Sequence, residues 1–241
     1  MATRVEVDIA AKTYAEAPGS KAQAVLRGLR FVLESGVITA LVGPSGCGKT
    51  TMLNIIAGLD RDFSGTVDRG AGADGGTPRL AYVFQNPRLL PWRTVYQNIE
   101  FVLPTGTDPA VINALLKAVD LTEFRDTFPN RLSLGMARRV AIARAFAVKP
   151  DLLLMDEAFT SLDEATVERM RELLLDLWRA NPTTVLLVTH DMREAVHLAR
   201  RIILLSAQPT TILNTITLAD NARTDPSMIE ATLQDIRAHY R

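Results

Sequence analysis

A single cysteine, Cys47, occurs among the 241 residues, so no disulfide forms within the chain and a reducing compartment is expected. Neither sign of charge is in excess: Lys+Arg and Asp+Glu both number 27. That balance excludes a nucleic-acid-coating surface or a polybasic membrane anchor as the chain's main character. Long apolar runs are missing too. The densest, Leu152–Met155 and Val185–Val188, are strand-sized and far short of the roughly 18 to 20 residues that cross a bilayer. Met1 to Ala11 mixes charged and apolar residues and holds no run of signal-peptide length. The expectation is a soluble chain, with no direct membrane insertion, whose membrane role comes through a partner. No internal repeat, low-complexity tract or coiled coil appears.

The apolar fraction of 47% is ample for one large domain, or for a core carrying a subdomain. Alternating Val5, Val7 and Ile9 read as a half-exposed strand. A turn is expected at Pro18-Gly19-Ser20 and a second strand near Ala24–Leu33. Val37–Val42 is a short apolar run feeding a glycine loop, followed by a helix over Thr50–Ala57 that Gly58 closes. Gly65–Pro78 reads as a flexible hairpin region and Leu80–Phe84 as a buried strand. From Asn86 to about Val148 prolines break the chain and helical spacing dominates, with Val111, Leu115, Leu116 and Val119 on one helical face. Strands at Leu152–Met155, Thr184–Thr189 and Ile202–Leu205 then alternate with helices at Glu164–Ala180 and Met192–Ala199, which predicts a parallel sheet wrapped by crossover helices. Beyond Ser206 the pattern weakens until a final helix near Ser227–Tyr240.

Two patterns carry chemistry. Gly43-Pro44-Ser45-Gly46-Cys47-Gly48-Lys49-Thr50 fits a Walker A phosphate loop, placed between a buried strand and a helix. Its glycines let successive N–H groups turn toward phosphate oxygens, and the helix adds its positive end. Lys49 brings a full charge to the β/γ-phosphates, the Thr50 hydroxyl can ligate Mg²⁺, and Thr51 is placed for the α-phosphate. Cys47, inside the loop, reads as a packing residue. The second pattern is Leu152-Leu-Leu-Met155-Asp156-Glu157, an apolar strand ending in two carboxylates. Asp156 suits Mg²⁺, and Glu157 suits polarisation of an attacking water.

Further elements in the same order resemble those of the ABC ATPases. Arg131-Leu132-Ser133-Leu134-Gly135-Met136, continuing to Ala145, looks like the family signature and its helix. Gln85 resembles the Q-loop glutamine, Ser161-Leu162-Asp163 the D-loop, and His190 the H-loop histidine. Tyr14 stands where the family places an aromatic that stacks on adenine. The resemblance implies an α/β P-loop NTPase (RecA-like) core with a mainly parallel sheet, an N-terminal antiparallel β subdomain and an inserted helical subdomain. The expected division is residues 1–86 and 147–210 for the nucleotide-binding core, 87–146 for the helical insert and 211–241 for a C-terminal extension. It further implies a homodimer with MgATP shared between copies. Lys49 of one copy and Ser133 with Gly135 of the other would grip the γ-phosphate, Asp163 would reach across, and Gln85 would contact Mg²⁺ or water.

The segment Gln85-Asn-Pro-Arg-Leu89-Leu90-Pro91-Trp92 through Ile99, together with Leu205-Ser-Ala-Gln-Pro209, is similar to importers for nitrate, sulfonates and taurine. That implies two permease subunits, an external substrate-binding protein and a place on the cytoplasmic face of a bacterial inner membrane. Leu89, Leu90 and Trp92 are candidate permease contacts. The signature departs from Leu-Ser-Gly-Gly-Gln at Leu134 and Met136: phosphate contacts persist provided the backbone at Leu134 does not demand positive φ, but Met136 cannot hydrogen-bond as a glutamine would, which leaves open a low-activity regulatory subunit. A third reading, an ABC protein acting on nucleic acid, lacks the coiled coil and second cassette such proteins use to grip it.

Overall fold

The computed structural model describes residues 2–14, 23–219, 223 and 225–240; the turn expected at Pro18-Gly19-Ser20 lies outside them. Strands β1 (Val5–Tyr14) and β2 (Gln23–Leu33) pair antiparallel. The phosphate loop follows β3 (Ile38–Val42) and leads into α1 (Lys49–Ala57). β4 (Ser64–Asp68) and β5 (Leu80–Val83) come next. Helices α2 (Val95–Glu100), α3 (Pro109–Ala118) and α4 (Leu134–Ala147) intervene before β6 (Leu152–Asp156). Then follow α5 (Glu164–Ala180), β7 (Thr184–Thr189), α6 (Met192–Leu198), β8 (Arg201–Leu205), β9 (Ile212–Thr217) and α7 (Pro226–Ala238).

Two sheets result. One has three strands in the order β2-β1-β4, the other six in the order β5-β6-β7-β3-β8-β9. Every pairing from β5 to β8 is parallel, and β9 closes the edge antiparallel. Because neighbouring side chains on a strand face opposite ways, the continuous apolar runs serve two cores. Leu153, Met155, Val185, Leu187, Ile202 and Leu204 join helices α2 to α7 in one core. Leu152, Leu154, Leu186, Val188, Ile203 and Leu205 join α1 and the small sheet in the other. Strands buried on both faces have no polar side to show, which is why they read as unbroken apolar runs.

Three expectations need correction. The Gly65–Pro78 region is not all flexible hairpin: its start belongs to β4, which pairs with β1. Gly65 sits at φ 130°, and a Cβ there would lie 2.1 Å from the Asp8 carbonyl oxygen, so glycine marks close strand approach rather than looseness. The Thr- and Ile-rich stretch after Ser206 also folds, as β9, with Ile212, Asn214 and Ile216 on the more buried side. On α3 the buried stripe runs through Ile112 and Leu116, while Val111 is exposed.

One buried carboxylate fixes the entry to β6. Asp151 accepts hydrogen bonds from the Arg79 N–H at 2.8 Å and the Ala73 N–H at 3.2 Å, and pairs with Arg79 Nε at 3.5 Å. Burial alone would raise its pKa, but these donors outweigh burial and hold it below the ordinary carboxylate value. Asp151→Asn should therefore cost about 1–3 kcal/mol at neutral pH. The difference should vanish as pH falls through the depressed native pKa, where wild type itself becomes protonated. Urea denaturation at pH 7 and pH 3 checks this.

Candidate nucleotide-binding and hydrolysis site

The phosphate loop occupies the turn between β3 and α1. Gly46 and Gly48 lie at φ 77° and 106°, backbone that L side chains rarely adopt. Nothing lies within 4 Å of a Cβ built on Gly46, so its glycine serves the curl, not a contact. Each of the other six described α-helices begins on a side chain that accepts from its first turn: Thr94, Asp108, Ser133, Asp163, Asp191 and Asp225. Helix α1 begins on Gly48 with no side-chain cap. Its first N–H groups are therefore left for an anion, the arrangement that suits a phosphate. Lys49, buried, donates to the carbonyls of Gly43 and Pro44 at 3.0 Å each.

Three sequence-distant residues converge on one carboxylate. Glu157 Oε1 lies 3.5 Å from Lys49 Nζ. Its Oε2 accepts from Gln85 Nε2 at 3.5 Å and lies 3.3 Å from His190 Nδ1. Glu157 itself adopts φ 45°, a left-handed conformation uncommon for a side-chain-bearing residue. This bend turns the chain out of β6 directly after Asp156, while the Glu157 N–H still donates to the Val188 carbonyl at 3.0 Å. Beside it, the Thr50 hydroxyl donates to Asp156 Oδ1 at 3.1 Å. Burial raises the Asp156 pKa, the Thr50 hydrogen bond opposes this, and the neighbouring Glu157 charge adds to the rise.

Among the described residues no cluster of three or more His, Cys, Asp or Glu side chains could hold a metal by itself. A hydroxyl beside a lone carboxylate suits Mg²⁺, which usually takes one or two protein oxygens and completes its shell with phosphate and water. Tyr14, exposed, lines the same cleft as Gly46, Gly48, Lys49, Thr50, Thr51 and Glu157. Its hydroxyl donates to Asp60 Oδ2 at 3.2 Å and lies 3.4 Å from Thr51 Oγ1. Pro44 and Ser45 are exposed on the loop; Gly43 and Cys47 are buried beneath it. The cleft also holds Gln23 and Gln208, which sequence reasoning missed. Gln208 lies within Leu205–Pro209, a stretch read only as a mark of subgroup.

Ser133, Gly135 and Asp163 sit elsewhere. They line a second concavity with Ser161 and Thr166 that shares no residue with the cleft around Lys49. Ser133 caps α4 by accepting the Met136 N–H at 3.2 Å, and Asp163 caps α5 by accepting the Thr166 N–H at 2.9 Å. One copy of the chain thus presents the phosphate loop and the signature helix on separate surfaces.

Comparison with known proteins decides the family. A model described as ABC transporter matches residues 26–160. The chain belongs to the ABC transporter family. It is 43% identical over 213 residues to the aliphatic sulfonates import ATP-binding protein SsuB 1 of Pseudomonas savastanoi pv. phaseolicola, covering 87% of each chain. The corresponding SsuB of Bacillus licheniformis is 42% identical over 198 residues, 80% of this chain and 77% of that one. Among solved structures, a dimeric bacterial ABC transporter cassette superposes with TM-score 0.75 at 30% identity, over 89% of this chain and 99% of its own. A dimeric ATP-binding cassette in a post-hydrolysis state, bound to ADP and Pi, gives TM-score 0.70 at 30% identity, over 87% and 99%.

As an ABC ATPase the chain has the expected α/β core with its mainly parallel sheet and antiparallel companion, and it hydrolyses ATP to drive transport. No helix among the described residues is long and apolar enough to cross a membrane. The relatives do not favour a low-activity regulatory subunit, and Leu134 gives no backbone ground for one, since it opens α4 in ordinary helical backbone and is not among the residues of positive φ. The tighter position is one residue later, where a Cβ on Gly135 would lie 3.0 Å from Thr166 Cγ2.

Four residues past His190 lies a buried acid. Glu194, at the start of α6, accepts from the Thr189 hydroxyl at 2.6 Å, and Thr189 Oγ1 in turn accepts the Asp191 N–H at 2.9 Å. Burial pushes Glu194 up to about 7, with Asp191 and Glu157 adding to the rise and Thr189 and Arg171 opposing it. Between the ordinary value and about pH 7 the native state holds a proton that the unfolded chain has released, so stability falls as pH rises through that window. Glu194→Gln should remove this slope and leave the variant at least as stable as wild type at pH 8, as measured by denaturant titration at pH 5, 6.5 and 8.

Proposed function

We propose that this chain is the ATPase subunit of an importer for aliphatic sulfonates or chemically similar small anions, the nitrate and taurine class included. Two copies form a homodimer and power two separate permease subunits fed by an external substrate-binding protein. The assembly sits on the cytoplasmic face of a bacterial inner membrane, with this chain held there by the permease and bound to no nucleic acid. What carries the reading is the gathering of Lys49, Gln85 and His190 on Glu157 beside the Thr50–Asp156 pair. The sulfonate relatives supply the substrate class.

In this reading Tyr14 stacks on adenine and Thr51 meets the α-phosphate. The backbone of Gly43, Pro44, Ser45, Gly46, Cys47 and Gly48 curls so that its free N–H groups receive phosphate oxygens. Lys49 exchanges its carbonyl partners for the β/γ-phosphates. Thr50, Asp156 and Gln85 hold Mg²⁺, which when bound neutralises phosphate charge that develops in transfer. Glu157 polarises the attacking water, and His190 orients that carboxylate. Ser133 and Gly135 of the second copy close on the γ-phosphate, with Asp163 crossing the same boundary. The division into a core of residues 1–86 and 147–210, a helical insert of 87–146 and an extension of 211–241 belongs to the same proposal. Within the insert Trp92 is 70% exposed, whereas Leu89 packs partly against the core, which makes Trp92 the stronger permease contact of the two.

Glu157→Gln should lower turnover by about a hundredfold or more while ATP binding persists and an ATP-dependent dimer accumulates, seen by size-exclusion chromatography with light scattering. His190→Ala should cut turnover with nucleotide binding largely kept. Wild-type turnover in Glu157→Gln would remove Glu157 from the chemistry.

A further inference from the structure

A tight loop leaves backbone carbonyls with no partner in a helix or ladder, and they are held in place where side chains donate to them. Lys49 serves two of them, on Gly43 and Pro44. Three more acceptors at the loop are served by residues late in the chain, two before β9 and one after α7. The Tyr240 hydroxyl donates to the Val42 carbonyl at 2.8 Å, where β3 ends and the loop begins. Gln208 Nε2 donates to the Gly46 carbonyl at 2.6 Å, and the Thr210 hydroxyl donates to the Cys47 carbonyl.

These donors are themselves held. Thr210 is fully buried and clipped to β2, its N–H donating to the Val25 carbonyl at 2.8 Å and its carbonyl accepting from the Arg27 N–H at 3.0 Å. The Gln208 amide oxygen accepts from Gln23 Nε2 at 2.7 Å. Tyr240 follows α7, which is anchored in the larger core through Leu233 and Ile236. Burial pushes the Tyr240 phenol up to about 12, so it remains a donor at any physiological pH. The loop also rests directly on this framework: a Cβ on Gly43 would lie 3.0 Å from Leu205 Cβ, and one on Gly48 would lie 2.7 Å from Val25 Cγ1.

We propose that Gln208, Thr210 and Tyr240 are positioning residues for nucleotide binding, which hold the carbonyls of Gly46, Cys47 and Val42 and so fix the loop's backbone before nucleotide arrives. The inference rests on the reading of residues 43–50 as a nucleotide cradle. Since donors fixed in advance lower the ordering cost of binding, their loss weakens affinity for nucleotide and leaves the groups around Glu157 in place.

The test uses the full chain with Gln208→Ala, Thr210→Val and Tyr240→Phe made singly, and Thr210→Ser as the conservative partner. MgATP affinity is measured by calorimetry, KM and kcat by phosphate release, and amide hydrogen exchange of residues 44–48 without nucleotide. Each deletion of a donor should raise Kd roughly 3- to 10-fold, the equivalent of one lost hydrogen bond. The change should appear in KM rather than kcat, with faster exchange in the empty loop, and Thr210→Ser should restore wild-type affinity. Unchanged Kd and exchange in all three variants would overturn the proposal, as would a Thr210→Ser variant as weak as Thr210→Val. A wild-type chain that fails to bind MgATP would bring down the cradle itself, whereas normal wild-type binding with unaffected variants removes only the positioning role.

Discussion

Everything in the candidate nucleotide cleft depends on the tight turn of residues 43–48, in which the Cys47 N–H donates to the Pro44 carbonyl at 3.2 Å. No side chain in the loop enforces that. Gly46 and Gly48 permit it by accepting positive φ, and α1 favours it by starting without a cap of its own. Enforcement comes from outside: the end of β3 is locked into a parallel ladder on both sides, with Val42 opposite Thr189 and Leu204. The loop therefore leaves a rigid strand in one direction only, and carbonyls at the strand end and in the loop are met by lysine, glutamine, threonine and tyrosine donors.

The convergence on Glu157 follows from strand order. With β5, β6, β7 and β3 adjacent and parallel, the residues that follow each strand emerge at the same edge. Gln85 comes two residues after β5, Glu157 one after β6, His190 one after β7 and the phosphate loop directly after β3. In an open parallel sheet that carboxyl edge is where ligands bind, because helices cover both faces and only the strand ends stay accessible. Four short motifs from across the chain thus meet without any long side chain having to reach. The left-handed backbone of Glu157 completes the arrangement, since a continued strand would direct its carboxylate back along the sheet face.

Most of this could be read from residue pattern alone. Buried parallel strands announce themselves as apolar runs of four to six residues, and glycine spacing marks the phosphate loop. Helix α5 is bounded by Asp163 and by Asn181-Pro182 as its capping chemistry demands. What escaped reading is edge structure. β4 is short and largely exposed, and β9 is only half-buried, so neither has the apolar pattern that distinguishes a strand from a loop. The same limit hid Gln208, Thr210 and Tyr240. Their partners are backbone carbonyls more than 160 residues away in sequence or nearly 200 away, and a carbonyl has no sequence signature. Gln85 and His190 were legible only because each follows a recognisable strand.

The helical insert is joined to the site by backbone carbonyls as well. On α4, Arg144 donates to the carbonyls of Pro87 and Arg88, just past Gln85, at 3.0 and 3.1 Å. One turn or two earlier, Arg138 donates to the Thr160 carbonyl, just before Ser161-Leu162-Asp163. Both guanidinium groups are desolvated enough for burial to lower their pKa, so breaking either contact would leave a buried charge without its partner, which is costly. A single rigid helix therefore touches the segment after Gln85, the segment before Asp163 and, at its capped end, the second concavity at Ser133. Rotation of α4 relative to the sheet must move all three together. That mechanical linkage suits a transport ATPase: through these contacts a shift in the α2–α4 region is coupled to groups beside both the cleft at Lys49 and the concavity at Ser133.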